Sequence, residues 1–179
     1  MAESIVDTLE IPQGTSVELN GADIKVRASG KENYRNFRST EIYLKQNGQS
    51  IEVWARSGRR NVLAEGHAIA SHVRNLITGV QKQYEARLEV IFSHFPMNVS
   101  VKGNHVEILN LAGAKHPKKA RIIGESKVEI KGKEITVKGT NKEHVGQTAA
   151  NMEQVTRVKG KDNRVFQDRI YVTKKAGQN

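Results

Sequence analysis

Val17-Glu18-Leu19-Asn20-Gly21-Ala22-Asp23-Ile24-Lys25-Val26 returns 82 positions later as Val99-Ser100-Val101-Lys102-Gly103-Asn104-His105-Val106-Glu107-Ile108, without a gap and with the apolar residues and the glycine in the same places. Successive strand side chains point to opposite faces, so alternation on both sides of Asn-Gly or Lys-Gly predicts a β-hairpin. A second pair follows. Leu44-Lys45-Gln46-Asn47-Gly48-Gln49-Ser50-Ile51-Glu52-Val53 matches Val128-Glu129-Ile130-Lys131-Gly132-Lys133-Glu134-Ile135-Thr136-Val137, 84 positions on.

After each second hairpin the apolar period changes from two to helical. Val62, Ile69, Val73, Leu76, Ile77 and Val80 share one helix face, and Val145, Ala149, Met152 and Val155 do so in the second copy. Thr140 and Glu143 have the spacing of a capping box ahead of the second helix. A last strand is expected to close each unit, over 84–92 and 165–172. The reading is therefore an α+β fold of two tandem duplicated domains, each an antiparallel-rich β-sheet packed against one main helix. The boundary is expected near 93–96, giving domains 1–92 and 93–179.

The 179 residues include no cysteine, which removes disulfides and thiolate metal sites and fits a cytoplasmic protein. No run of about 18 apolar residues predicts a membrane span. The acidic, alternating start of the chain does not resemble a signal peptide. The net charge is +10, and it is unevenly placed. Residues 1–92 hold 12 Lys/Arg against 11 Asp/Glu, and residues 93–179 hold 17 against 8. Two units of one architecture thus differ mainly in electrostatics, and the second is expected to face a polyanion, whose phosphates release counterions when Lys or Arg neutralises them.

Within the second copy the charge gathers in two segments. Residues 115–121 carry Lys115, His116, Lys118, Lys119 and Arg121 in a stretch that Gly113 and Pro117 mark as a loop. Residues 157–164 carry Arg157, Lys159, Gly160, Lys161 and Arg164 just beyond the second helix, where cations suit the negative end of the helix dipole. Gly160 would let backbone come close to a phosphate. Phe166 and Tyr171 fall in strand-like sequence and are expected in the core, leaving little for base stacking. No single-strand RNA recognition motif is present, so the expected mode is recognition of phosphates, 2′-hydroxyls and the shape of folded RNA.

No P-loop, dinucleotide fingerprint or nucleophile elbow occurs. His67, His72, His94, His105, His116 and His144 are scattered, and His67 and His72 lie five apart rather than the four that would align two ligands. Asp162 and Asp168 read as charge partners. No enzyme, cofactor or metal site is expected. The alternatives are a general double-stranded nucleic-acid binder and an RNA-modifying enzyme, the latter without an acid–base cluster to support it.

Three stretches carry a family resemblance: Gly113-Ala114-Lys115-His116-Pro117-Lys118-Lys119-Ala120-Arg121-Ile122-Ile123-Gly124, Val145-Gly146-Gln147-Thr148-Ala149-Ala150-Asn151-Met152-Glu153-Gln154, and Arg157-Val158-Lys159-Gly160-Lys161-Asp162 with Val165-Phe166-Gln167-Asp168. Together with the two-copy organisation they resemble the archaeal and eukaryotic branch of the ribosomal protein L-six family, the universal large-subunit protein six. The compact chain fits the archaeal branch best. The resemblance implies a structural constituent of the large ribosomal subunit, located in the cytoplasmic ribosome. It also implies binding to large-subunit rRNA near the sarcin-ricin loop and stalk base, with ribosomal proteins as neighbours and translational GTPases docking nearby. The principal RNA contacts would come from the C-terminal domain. By position, the matching residues are Lys115, His116, Lys118, Lys119, Arg121, Arg157, Lys159, Gly160, Lys161 and Arg164. Arg169 departs from the pattern, which leads one to expect a small residue there.

Overall fold

Alternating burial builds the first half. β1 (Ser4–Glu10), β2 (Thr15–Asn20), β3 (Asp23–Ala28), β4 (Lys31–Asn36), β5 (Ile42–Asn47) and β6 (Ser50–Ala55) precede a long helix, α1 (Arg60–Gln81). The computed structural model describes residues 3–93, 95–160, 162 and 164–178. In β6 the side chains of Ile51, Val53 and Ala55 are fully buried while those between them are partly exposed, the period-two signature of a sheet with one covered face. Two antiparallel sheets form, ordered β1-β6-β5 and β2-β3-β4. The six apolar residues expected on the helix face are all buried in the core shared with these strands. Gly66 is set by close approach, since a Cβ there would meet the Val6 side chain at 3.0 Å.

The second half repeats this plan. β7 (Tyr84–Ile91), β8 (Asn98–Lys102), β9 (His105–Leu109), β10 (Lys118–Arg121), β11 (Lys127–Lys131) and β12 (Glu134–Gly139) lead into α2 (Lys142–Val155), and β13 (Arg169–Lys174) follows. The sheets are ordered β11-β12-β7-β13 and β10-β9-β8, and every pairing is antiparallel. The hairpins expected from sequence form in register. Asn20 opposes Asp23, and Lys102 opposes His105. This leaves two-residue loops whose first member, Gly21 or Gly103, has φ near +60°, where an L side chain is disfavoured.

The phase of the repeat differs from the sequence reading. The strand expected to close the first unit is β7. It lies between β12 and β13 in the second unit's sheet, and the two compact units divide at Gln83/Tyr84 rather than at 92/93. β7 pairs with β12 as β1 pairs with β6, so each copy begins with this strand and ends with its helix. An alternating strand placed between two repeats fits either copy by pattern alone, and only its pairing assigns it. β13 is the addition, occupying a side of β7 that has no equivalent beside β1 among the described residues.

Two local expectations also change. Asn141, not Thr140, is the N-cap of α2, its side chain accepting from the N–H groups of Glu143 (2.9 Å) and His144 (3.4 Å). Asn serves as well as Thr here and stands one residue closer to the first turn. The last strand begins at Arg169, so Val165 and Phe166 precede it in a turn, 69% and 42% exposed. The alternation through Phe166, Ile170 and Val172 reads as one strand, but the turn on Asp162 described below interrupts it.

Two outcomes are expected. Residues 84–179 should unfold cooperatively on their own, whereas residues 93–179, deprived of the buried Ala86, Leu88 and Val90 of β7, should show no cooperative thermal transition by circular dichroism. Asn141→Ala should cost about 1 kcal/mol in a denaturant titration of the full chain.

Candidate nucleic-acid interface

With the division at Gln83/Tyr84, the first unit carries 11 Lys/Arg against 9 Asp/Glu and the second 18 against 10. In the first unit cations meet carboxylates. Arg27 bonds Glu18 at 3.0 Å and Glu32 at 2.8 Å, and Arg74 bonds Asp7 at 3.1 Å. The Arg27 guanidinium holds the Glu32 carboxyl below the usual range. In the second unit Lys102 pairs with Glu107, and Lys138 with Glu129. Among the described residues no carboxylate forms an ion pair with Lys115, Lys118, Lys119, Arg121, Arg157 or Lys159, and all six are exposed.

The first basic segment is only half a loop. Lys115, His116 and Pro117 are exposed and irregular, but Lys118–Arg121 is β10, an edge strand paired with β9. Ala120 is buried while Lys118, Lys119 and Arg121 stay exposed. Cations on an edge strand also discourage pairing with another sheet. Upstream, Asn110 and Ala112 adopt the left-handed conformation (φ 59° and 49°), and Asn110 donates through Nδ2 to the Pro96 carbonyl at 3.1 Å. The sharp turn before Lys115 is therefore held by backbone geometry and by a side-chain bond.

Helix α2 connects the two segments. Asn151 donates through Nδ2 to the Arg121 carbonyl at 2.9 Å, and Ile123 donates its N–H to Thr148 Oγ1 at 3.0 Å. Moving back along β10 thus means moving forward along α2. The start of β10, with Lys118 and Lys119, is carried toward the end of the helix from which Arg157 emerges. Neither bond was legible in sequence, where Asn151 and Thr148 look like ordinary helix residues.

The second segment is a loop closed at its neck. Thr156, fully buried, receives the Ile170 N–H on Oγ1 at 3.1 Å and bonds the Met152 carbonyl at 3.0 Å. Asp168, 6% exposed, accepts from the Ser93 N–H at 2.6 Å and so pins the returning strand instead of pairing with a cation. Between these anchors Arg157, Lys159, Gly160 and Arg164 are exposed. Lys161 lies outside the described residues, as does His94. Gly160 has φ +72° with open space around its Cα, so its requirement within the chain is backbone conformation.

Arg164 is the one proposed ligand among the described residues with a carboxylate partner. Asp162 accepts from its N–H at 2.9 Å and from Nε and Nη2 at 3.2 and 3.0 Å. The side-chain bond and then the backbone bond from Arg164 hold the Asp162 carboxyl below its usual range. Arg169 turns inward. Its side chain is 18% exposed, with the guanidinium 4.7 Å from the Tyr171 ring and 3.7 Å from Glu153. A small residue is thus not needed at that place, and the side chain is spent on packing. Among the described residues, no group of three or more His, Asp or Glu could hold a metal ion, and no helix is long and apolar enough to cross a membrane.

If the neck is held by Thr156, replacing its hydroxyl should leave the buried Ile170 N–H without a partner. Thr156→Val should lower unfolding free energy by about 1–3 kcal/mol in a urea titration. An unchanged midpoint would show that the hydroxyl does not close the loop.

Comparison with known proteins bears on what such an interface serves. The family model for ribosomal protein L6 matches residues 95–169, which include both basic segments. The large ribosomal subunit protein uL6 of Methanococcus vannielii is 41% identical over 178 residues, spanning 99% of this chain and 98% of the relative. The protein of the same name from Methanosarcina mazei is 42% identical over 176 residues, spanning 98% and 100%, and that of Methanobrevibacter smithii is 38% identical over 175, spanning 98% of each. Identity at this level along the whole chain, joined to the duplicated fold, places it in the archaeal branch: the chain belongs to the ribosomal protein L6 family.

Proposed function

We propose that the second unit binds large-subunit rRNA near the sarcin-ricin loop and stalk base, through the two basic segments that α2 draws to one end, and so supports the region where translational GTPases dock. As a member of the L6 family the chain is a structural constituent of the large ribosomal subunit, in the cytoplasmic ribosome, associated with rRNA and ribosomal proteins. The observation that carries the finer reading is the attachment of β10 and Ile123 to α2 through Asn151 and Thr148, because it ties the first basic segment to the helix from whose end the second emerges.

The mechanism is bracing by charge. Lys115, His116, Lys118, Lys119 and Arg121 approach RNA from the edge strand, and Arg157, Lys159, Gly160, Lys161 and Arg164 from the closed loop. Phosphate contacts fix position and supply affinity, while the shape of the folded RNA supplies specificity. Arg164 comes already oriented by Asp162, which lowers the entropy cost of holding its fork toward a phosphate and reduces its net charge. The first unit, with nearly as many acidic as basic residues, makes fewer RNA contacts and meets protein neighbours. No catalytic step is assigned to either unit.

Titrating the full chain against large-subunit rRNA tests this. With about 6–10 phosphates neutralised, affinity should fall roughly 10³–10⁵-fold between 50 and 200 mM salt. Changing Lys118 and Lys119 together to Ala should weaken binding and flatten the log–log slope by about 0.7–0.9 for each phosphate that is no longer neutralised. Affinity and slope equal to those of the unaltered chain would remove β10 from the interface. A double-stranded RNA binder outside the ribosome would instead wash from large subunits at modest salt, where this chain should stay bound.

A further inference from the structure

The outer face of the β10-β9-β8 sheet carries charge that neither basic segment accounts for. Arg121 opposes His105 and His105 opposes Lys102, so three basic residues from three strands form one row. Directly opposed residues share a face. The next row, Ala120-Val106-Val101, sends Ala120 and Val106 into the core, which puts Arg121, His105 and Lys102 on the side away from it. Lys119, opposite Glu107, lies on that outer side too. Lys102, Lys119 and Arg121 are exposed, and His105 is half-buried.

The first unit shows the same scaffold without such a row. Asn20 and Asp23 hold the equivalent places by the 82-residue offset, and Asn36 faces Asp23 as Arg121 faces His105. There the Asp23 carboxylate accepts from Asn36 Nδ2 and from the Tyr34 hydroxyl, so the row is satisfied from within. In the second unit every member of the row is a donor. Lys and Arg only donate, and an imidazole keeps at least one N–H in either protonation state. The carboxylate on this face, Glu107, is 7% exposed and bonded by Lys102, which holds its carboxyl below the usual range. It orients Lys102, and it leaves Lys119 and Arg121 without a carboxylate ion pair among the described residues.

We infer that this sheet face is a third RNA-contacting surface, on which Lys102 and His105 continue the line of Arg121 and Lys119 and bind phosphates of one RNA strand. This rests on the rRNA-binding reading above and adds a surface to it. Charge decides for RNA over a protein neighbour. Three fixed cations face one nearly buried carboxylate, beside the cations of β10, in a unit with 18 Lys/Arg against 10 Asp/Glu. With strands about 4.7–4.9 Å apart, the sheet holds these donors in fixed register before RNA arrives, so little is lost in ordering them.

The test uses the full chain and large-subunit rRNA over a range of salt. Lys102→Asn should flatten the log–log slope by about 0.7–0.9, the value for one phosphate. His105→Asn should weaken binding about 2- to 12-fold, the range for losing one hydrogen bond. On the unaltered chain, acylation of the Lys102 amine, read by mass spectrometry, should be slower in the rRNA complex than in the free protein. Equal reactivity would overturn the inference. So would a slope flattened as much by Lys45→Asn in the first unit, since the effect would then be net charge alone. Unaltered affinity and slope in Lys102→Asn and His105→Asn, while Lys118→Ala with Lys119→Ala weakens binding, would overturn it and leave the rRNA reading standing. No measurable binding by the unaltered chain would remove both. Full rRNA affinity in these two variants with loss of a ribosomal protein neighbour would make the face a protein contact, again overturning it.

Discussion

The basic unit depends on the placement of β7 between β12 and β13. That strand supplies Ala86, Leu88 and Val90 to the core, each at most 2% exposed, against which Val145, Ala149 and Met152 of α2 pack. Once α2 is fixed, both candidate RNA-binding segments are positioned through it. Asn151 holds the end of β10 and Thr148 holds Ile123 two residues beyond it, and Thr156 closes the loop that begins at Arg157. A single helix on a four-stranded sheet therefore sets the geometry of charges far apart in the chain.

The same architecture carries different electrostatics in its two copies. The first unit is nearly neutral, and within it Arg27 sits between Glu18 and Glu32 and Arg74 reaches Asp7, exposed ion pairs that contribute little to stability individually. In the second unit Glu107 and Glu129 are engaged by Lys102 and Lys138, while Lys118, Lys119 and Arg121 on β10 and Arg157 and Lys159 in the loop are exposed without a carboxylate ion pair among the described residues. Like charges brought together this way repel one another, a cost that the buried strands and helix must offset until an anion arrives. The two copies share one scaffold and differ in the charge they carry on it.

Much of this was legible in sequence because it is periodic. The four hairpins, both helices and the buried face of α1 follow from alternation, turn glycines and helical spacing, all of which act over a few residues. The phase of the repeat was not legible, because an alternating strand between two copies pairs with either until the whole sheet is assembled. Phe166 was misread for a related reason. It continues an apolar pattern toward Ile170, but a local turn on the Asp162 carbonyl outcompetes the extension of β13. The cap moved from Thr140 to Asn141 because both residues can serve and the helix start decides. Of the interface, the charged residues were visible as composition, whereas the bonds from Asn151, Thr148 and Thr156 that assemble them are tertiary and leave no local pattern.

The central claim, that RNA binding belongs to one of two duplicated units, is tested most directly by dividing the chain at Gln83/Tyr84 and titrating each piece with large-subunit rRNA across salt concentrations. The account predicts that residues 84–179 keep nearly the affinity and the salt slope of the full chain, and that residues 1–83 bind at least about 100-fold more weakly with a shallow slope. Equal affinity and equal slope for the two folded pieces would contradict it.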